Sequence, residues 1–484
     1  MSYNVATMTD ARKIMIEKQI QNDRKLSALY ISRAKIRDFN DETRINAYGG
    51  YNEEIAMSLA NGFSNDDVID GTINLSFFDK YQITSLEEAF IHCTKLETID
   101  LSMLNLDFCT SFKRAFSGCV NLRTIKFGHQ CTMNVQDTSD MFFNCKSLVN
   151  IDTGGYAKNQ LDWNTSKVDD MSNMFCNCES LTQLQLDTID TGLIFYANNM
   201  FMNCKRLTAL RVGNFNMSAC VTMAYMFAGC QELKYLDVEN WSVDFSPACR
   251  FMFYQCESLQ YLNLSKWNFS ITDMSSMFEG CRCLETLNIY NLDSSDVTNV
   301  SNLLYDCESL INMTFPATLL GKNTIRVRML SNCKKLQSVN IRSPLPADTR
   351  ELYHNCESLV EINLQDNQLD NVEYMDDMFN GCKSLRVLDL SRQNATPKTM
   401  SHCFYNWTNL QVLDISGLNL ENTDAAGAFD KLYRLRVILF KEIDGLYYIK
   451  DNYLYLAGER FSVFHNYIRK NGILTVTLFE INTF

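Results

Sequence analysis

Twelve cysteines recur through the middle of this chain: Cys93, Cys119, Cys145, Cys178, Cys204, Cys230, Cys256, Cys281, Cys307, Cys333, Cys356 and Cys382. The steps between them are 26, 26, 33, 26, 26, 26, 25, 26, 26, 23 and 26 residues. Self-similarity at such a period is the mark of a solenoid, in which each coil touches only its neighbours and buries its apolar side by stacking on them.

The same words return around each cysteine. A Met-Phe pair precedes it, as at Met174-Phe175, Met200-Phe201, Met277-Phe278 and Met378-Phe379. Met171, Met174 and Phe175 stand at i, i+3 and i+4, a spacing that predicts one face of a short helical turn. Gly118, Asn144, Asn177, Asn203 or Gly229 comes immediately before the cysteine, where a positive φ can end the turn. Leu-x-x-Leu-x-Leu follows, clearest at Leu181, Leu184 and Leu186, and its last part alternates at the period of a strand. These signals predict an α/β repeat: a right-handed solenoid with a parallel β-sheet on one face and short helical turns on the other. Trp407 and Leu432 continue the cysteine frame. About 14 coils therefore fill residues 86–440 on the order of 65 Å of stacking. Residues 1–85 are read as an N-terminal helical segment and cap, and 441–484 as a C-terminal cap. The extra residues around Thr153-Gly154-Gly155-Tyr156 are expected to bulge as a loop without shifting the frame.

The repeated words, with stretches such as Val168-Asp169-Asp170-Met171-Ser172-Asn173-Met174-Phe175, resemble the BspA-type leucine-rich repeats. That family is known mainly from bacterial and protist surface proteins, and such repeats also occur in viral genomes. The resemblance implies a leucine-rich-repeat solenoid that binds partners, with adhesion as one use.

The ends and the charge qualify that use. Residues 1–40 lack an uninterrupted apolar stretch with a small-residue cleavage site, and no run of about eighteen apolar residues predicts a membrane span. The formal charge is −13, yet residues 1–40 hold eight Lys/Arg against four Asp/Glu, so they carry +4 and the remainder −17. An acidic solenoid disfavours nucleic acid as its partner. Apolar residues from Ile14 to Ile36 among Lys13, Lys18, Arg24, Lys25, Arg33, Lys35 and Arg37 read as a helix over about Thr9 to Phe39. It either caps the first coil or serves as a docking arm for an acidic partner. The ladder cysteines point in parallel towards the core at a position that also accepts Trp407 and Leu432, so they are read as buried free thiols. Retention in a reducing cytoplasm, with incorporation into a virion as one route out, follows as the expected localisation.

No motif announces chemistry. Cys176-x-Cys178 and Cys281-x-Cys283 are too closely spaced for a zinc site, and the adjacent His402-Cys403 has no orienting acid at a telling distance. No phosphate-binding loop, nucleophile elbow or HExxH is present, so neither catalytic residues, metal nor cofactor is expected. Trp163, Trp241 and Trp267 suggest either core packing or carbohydrate stacking. The outward strand positions are the expected protein or glycan contact surface: Asp100, Lys126, Asp152, Gln185, Arg211, Tyr235, Asp237, Tyr261 and Asn263. A solvated face is the alternative. The function expected is a non-enzymatic scaffold for protein–protein interaction, within a virion or other large assembly. A cell-surface adhesin comes second and an enzyme third.

Overall fold

The computed structural model describes residues 56–478, apart from 80, 129–133, 155–157, 162, 243–246, 268–270, 291, 293–294, 317–318, 321–323, 342–343, 363, 365–367, 451–452 and 457–458. The expected helix over Thr9 to Phe39 and the basic residues Lys13, Lys18, Arg24, Lys25, Arg33, Lys35 and Arg37 lie outside the described residues.

The chain winds into a leucine-rich-repeat β-solenoid with parallel strands. Its opening strands are β1 (Ala56–Ser58) and β2 (Gln82–Ser85), with a single 3-10 turn at Ser76–Phe78 between them. Short strands then recur, one to a coil except in the coil of Cys230, where Tyr235 makes only an isolated bridge: β3 (Thr98–Asp100), β4 (Thr124–Lys126), β5 (Asn150–Asp152), β6 (Gln183–Gln185) and β7 (Ala209–Arg211). They continue as β8 (Tyr261–Asn263), β9 (Thr286–Asn288), β10 (Asn312–Thr314), β11 (Ser338–Asn340) and β12 (Glu361–Ile362). The last of the series are β13 (Val387–Asp389), β14 (Val412–Asp414) and β15 (Val437–Lys441). In most of them the middle residue is buried between two more exposed ones, as the Leu-x-Leu alternation requires.

The helical turns are not there. Among the described residues no α-helix occurs, and the Met-x-x-Met-Phe segment is a tandem of β-turns. The reason is a second left-handed residue in each coil, five before the cysteine. Asp140, Asn173, Asn199, Tyr225, Phe251, Ser276, Asn302 and Asp377 all have φ between 54° and 59° there. A residue in that conformation stops a helix after one turn, and at the third position of a β-turn it is the mark of type II. Met174 N–H donates to Met171 O at 3.2 Å and Cys178 N–H to Phe175 O at 3.1 Å, closing two such turns around Asn173 and Asn177. Met171, Met174 and Phe175 still share one buried face, because two linked turns carry i, i+3 and i+4 inwards as a helical turn would.

Opening the helix frees every second N–H to bond sideways. Met171, Asn173, Phe175 and Asn177 donate to Tyr196, Asn198, Met200 and Met202 of the next coil at 2.7–3.0 Å. Equivalent bonds join coil to coil from Leu59, which donates to Ser85 O, through to Met400, which donates to Asp424 O. Inside this ladder the phenyl rings stack face to face: Phe63, Phe90, Phe116, Phe142, Phe175, Phe201, Phe227, Phe253 and Phe278 lie 4.7–5.8 Å apart, centroid to centroid. Leu304 and Leu330 interrupt the stack, and Tyr353, Phe379 and Phe404 resume it.

The sheet is less continuous than the turns. Among the described residues β3–β4–β5, β6–β7, β8–β9, β10–β11–β12 and β13–β14–β15 are separate parallel groups. The break between β5 and β6 is filled by the chain itself. Residues 159–161 of the extra segment return as a rung in which Gln160 pairs with Gln185, and the Gly155-Tyr156 part of the expected loop lies outside the described residues. Asn159 is buried there; its side-chain amide donates to Val149 O and Gln183 O and accepts from Ile151 N–H. The frame is kept, since Asp137 still pairs with Asp170 across the same step.

Beyond the last coil β16 (Tyr447–Lys450), β17 (Tyr453–Leu456), β18 (Glu459–Lys470) and β19 (Ile473–Leu478) form an antiparallel meander. Strand β19 pairs with β15 from Val437↔Thr477 to Lys441↔Ile473, covering the free edge that the solenoid would otherwise end on.

Candidate partner-binding site

The outward strand positions fall where the two-residue period places them, on one face. Asp100, Lys126 and Arg211 are exposed, Asp152, Gln185 and Asn263 are half-buried, and Tyr235, Asp237 and Tyr261 are exposed. Several of these polar groups already have work within the fold. Lys126 forms an ion pair with Asp100 at 3.1 Å, and Arg211 with Asp187 at 3.7 Å. Asp152 accepts from Gly154 N–H, Asp237 from Glu239 N–H and Asn263 from Ser265 N–H, so each caps the turn that leaves its strand. The equivalent Asp389 and Asp414 accept from Ser391 and Ser416. Burial would raise the Asp100 carboxyl, but hydrogen bonds from Ser102 and the Lys126 ammonium outweigh it and hold the group below its ordinary range. Gln185 reaches back to Lys158 O at 3.5 Å.

The tyrosines differ. Tyr235 and Tyr261 pair in register on neighbouring coils and are 64% and 46% exposed. Tyr235 O–H donates to Gln260 Oε1 at 2.9 Å, which holds its ring along the face. Tyr290, one coil further, is 70% exposed. Exposed aromatic rings on a strand face are ready contact area for a partner.

No motif in the sequence marks two further features of the surface. From Lys146 to Lys383 the residue after the ladder cysteine alternates in charge from coil to coil, interrupted by Gln231. Glu179 lies between Lys146 (3.6 Å) and Lys205 (2.9 Å), and Glu308 between Arg282 (3.6 Å) and Lys334 (3.1 Å). Each pair is exposed and worth about 0–1 kcal/mol, so the series sets register more than stability. Leu193, Phe195, Tyr196 and Val221 form an exposed apolar patch on the flank, with Val221 N–H donating to Phe195 O. The signal lay in the sequence: positions that hold Thr110, Thr272 or Thr298 in other coils hold Phe195 and Val221 here.

Trp163, Trp241 and Trp267 are buried, which removes carbohydrate stacking on their rings. Trp241 and Trp267 donate their indole N–H to Val212 O and Val238 O at 2.8 and 2.7 Å. His402 is exposed on the turn face while the neighbouring Cys403 is buried, its thiol pushed well above the ordinary range by that burial. Among the described residues no group of three His, Cys, Asp or Glu side chains is placed to hold a metal ion. None of their helices is long and apolar enough to cross a membrane.

Known proteins bear on this arrangement. No curated protein matches the sequence. Among solved structures, a leucine-rich repeat protein from Eubacterium ventriosum is 14% identical over 83% of this chain and 95% of that one, with a TM-score of 0.34. A leucine-rich repeat protein of Leptospira interrogans is 14% identical over 73% of this chain and 95% of that one, with a TM-score of 0.25. TLR13 in complex with ssRNA13 is 16% identical over 75% of this chain, with a TM-score of 0.27, and this chain spans only 50% of TLR13. The family model described as Mycoplasma protein of unknown function, DUF285, matches residues 57–179, 156–260 and 222–343. The model of the BspA-type leucine-rich repeat region matches residues 349–457. On those matches the chain belongs to the family of the DUF285 model, and its last coils carry BspA-type leucine-rich repeats.

Proposed function

We propose that this protein is a non-catalytic scaffold whose strand face binds another protein. The carrying observation is the in-register pair Tyr235 and Tyr261, exposed rings on a rigid parallel ladder. Asp100, Lys126, Asp152, Gln185, Arg211, Asp237 and Asn263 form the polar surround of the contact. Lys13, Lys18, Arg24, Lys25, Arg33, Lys35 and Arg37 dock the chain on an acidic partner within a larger assembly, a virion among the candidates. Buried thiols without disulfide partners support a reducing compartment. A surface adhesin is the second reading, favoured by the family's known members.

The test uses the partner recovered from the native source, purified and titrated against three forms: the intact chain, a Tyr235→Ala/Tyr261→Ala variant, and a chain lacking residues 1–40. Loss of about tenfold or more in affinity on the tyrosine change supports the strand-face contact. Unchanged affinity removes it. Assembly membership that survives loss of residues 1–40 removes the docking arm.

A further inference from the structure

In a bonded rung of this sheet, Val412 N–H donates to Arg386 O and Leu390 N–H donates to Asp414 O. One coil earlier the corresponding bonds would run from Val387 N–H to Val360 O and from Leu364 N–H to Asp389 O. Among the described residues neither is made, and β12 and β13 belong to different sheets. The turn face stays closed across the same step, with Tyr353 N–H donating to Met378 O at 2.8 Å and Asn355 N–H to Asn380 O at 2.7 Å. The two coils are therefore hinged at the turns and parted at the strands. The opening is a cleft of about 780 Å³ lined by Val360, Glu361, Val387, Asp389, Arg386 and Arg392.

The molecule shows what such an opening takes. At the β5/β6 break residues 159–161 lie between the parted strands, with Gln185 N–H donating to Asn159 O and Leu161 N–H to Gln185 O. At β12/β13 no described segment of the chain plays that part.

We propose that the β12/β13 cleft is a strand-binding site that takes an extended peptide segment of a partner protein, bonded through its main chain to the facing edges of both strands. Strand addition of this kind draws affinity from main-chain hydrogen bonds and specificity from alternate side chains. Val360 and Val387, 61% and 54% exposed on the two lips, call for apolar side chains on one side of the peptide. Glu361 and Asp389 balance Arg386 and Arg392, so the net charge of the peptide is not what is read. Proline is excluded at bonded positions because it lacks the N–H. The cleft shares no residue with the tyrosine surface, so either site can fail without the other.

The experiment selects binders from a library of short random peptides on the intact chain and measures their affinity for lip variants. Val387→Trp and Val360→Trp each fill the cleft from one side, and thermal unfolding of both identifies any variant that has lost its fold. Selected peptides are expected to weaken about tenfold or more on either lip variant, to lose binding when alternate amides are N-methylated, and to ignore Tyr235→Ala. Failure to enrich any peptide overturns the proposal. So do enriched peptides that bind both folded lip variants as tightly as the intact chain, or that tolerate N-methylation.

Discussion

At the residue scale the informative comparison is Trp407 with the cysteines it follows. Each ladder thiol from Cys119 to Cys382 donates to the carbonyl of the stacked residue one coil back, as Cys230 does to Phe201 O at 3.2 Å and Cys382 to Tyr353 O at 3.3 Å. Trp407 donates its indole N–H to the equivalent carbonyl of Phe379. The ladder position is therefore a buried donor site as well as an apolar one. Trp407→Phe should cost about 0.5–1.5 kcal/mol in urea unfolding, because Phe379 O loses the indole and keeps only the Cys382 N–H as donor. Burial also pushes the thiols up, Cys256 and Cys356 to about 12 from an ordinary 9.0. A raised thiol keeps its full contribution below pH 9.0 and loses it as pH climbs towards 12, because the unfolded chain ionises first. Unfolding free energy should thus be flat to about pH 9 and then fall by as much as about 1.4 kcal/mol per pH unit for each such thiol. A denaturant titration across that range checks it. The apolar character of the site was legible because tryptophan and leucine replace cysteine in its frame. Its donor role was not, since spacing carries no record of which carbonyl lies opposite.

At the element scale the coil is set by two left-handed residues, and only one of them is legible in the sequence. Asparagine and glycine before the cysteine are plain in Asn144, Asn177, Gly118 and Gly229. The position five before holds Asp140 and Asn173 but also Arg114, Tyr225 and Arg328, and those bulky residues hid the turn. With only one break visible, i, i+3 and i+4 read as a helix. Gly229→Ala puts a Cβ 2.3 Å from Asn203 Oδ1 at φ +73°, whereas Gly445 at φ +81° has nothing within 4 Å. Thermal unfolding should show the first change to be the costlier, with Gly445→Ala limited to the roughly 1–2 kcal/mol of the left-handed backbone. The inserted rung makes a second prediction. Asn159→Ala removes three bonds between β5 and β6 and should destabilise the chain by about 2–4 kcal/mol in the same measurement, well beyond an exposed Asn such as Asn371. The seven-residue excess was visible in the 33-residue step, but its return into the sheet depends on tertiary bonds to Asn159.

At the scale of the whole molecule the cysteine period carried the architecture, and the family followed from the words around it. Function was less legible. The strand face is written in residues such as Asp152, Asp237 and Asn263 that double as turn caps, so their recurrence reports folding as much as recognition. Tyr235 and Tyr261 stand apart because capping does not use them. The central structural claim is that the tandem-turn ladder, not the sheet, joins the coils from end to end. Amide hydrogen exchange on the intact chain, read residue by residue, tests it most directly. Protected amides are expected at Phe175, Phe201, Phe227, Phe253, Phe278, Tyr353 and Phe379, with fast exchange at Val387 and Leu364. Protection of Val387 and Leu364 in the free protein, with fast exchange at those turn amides, would contradict it.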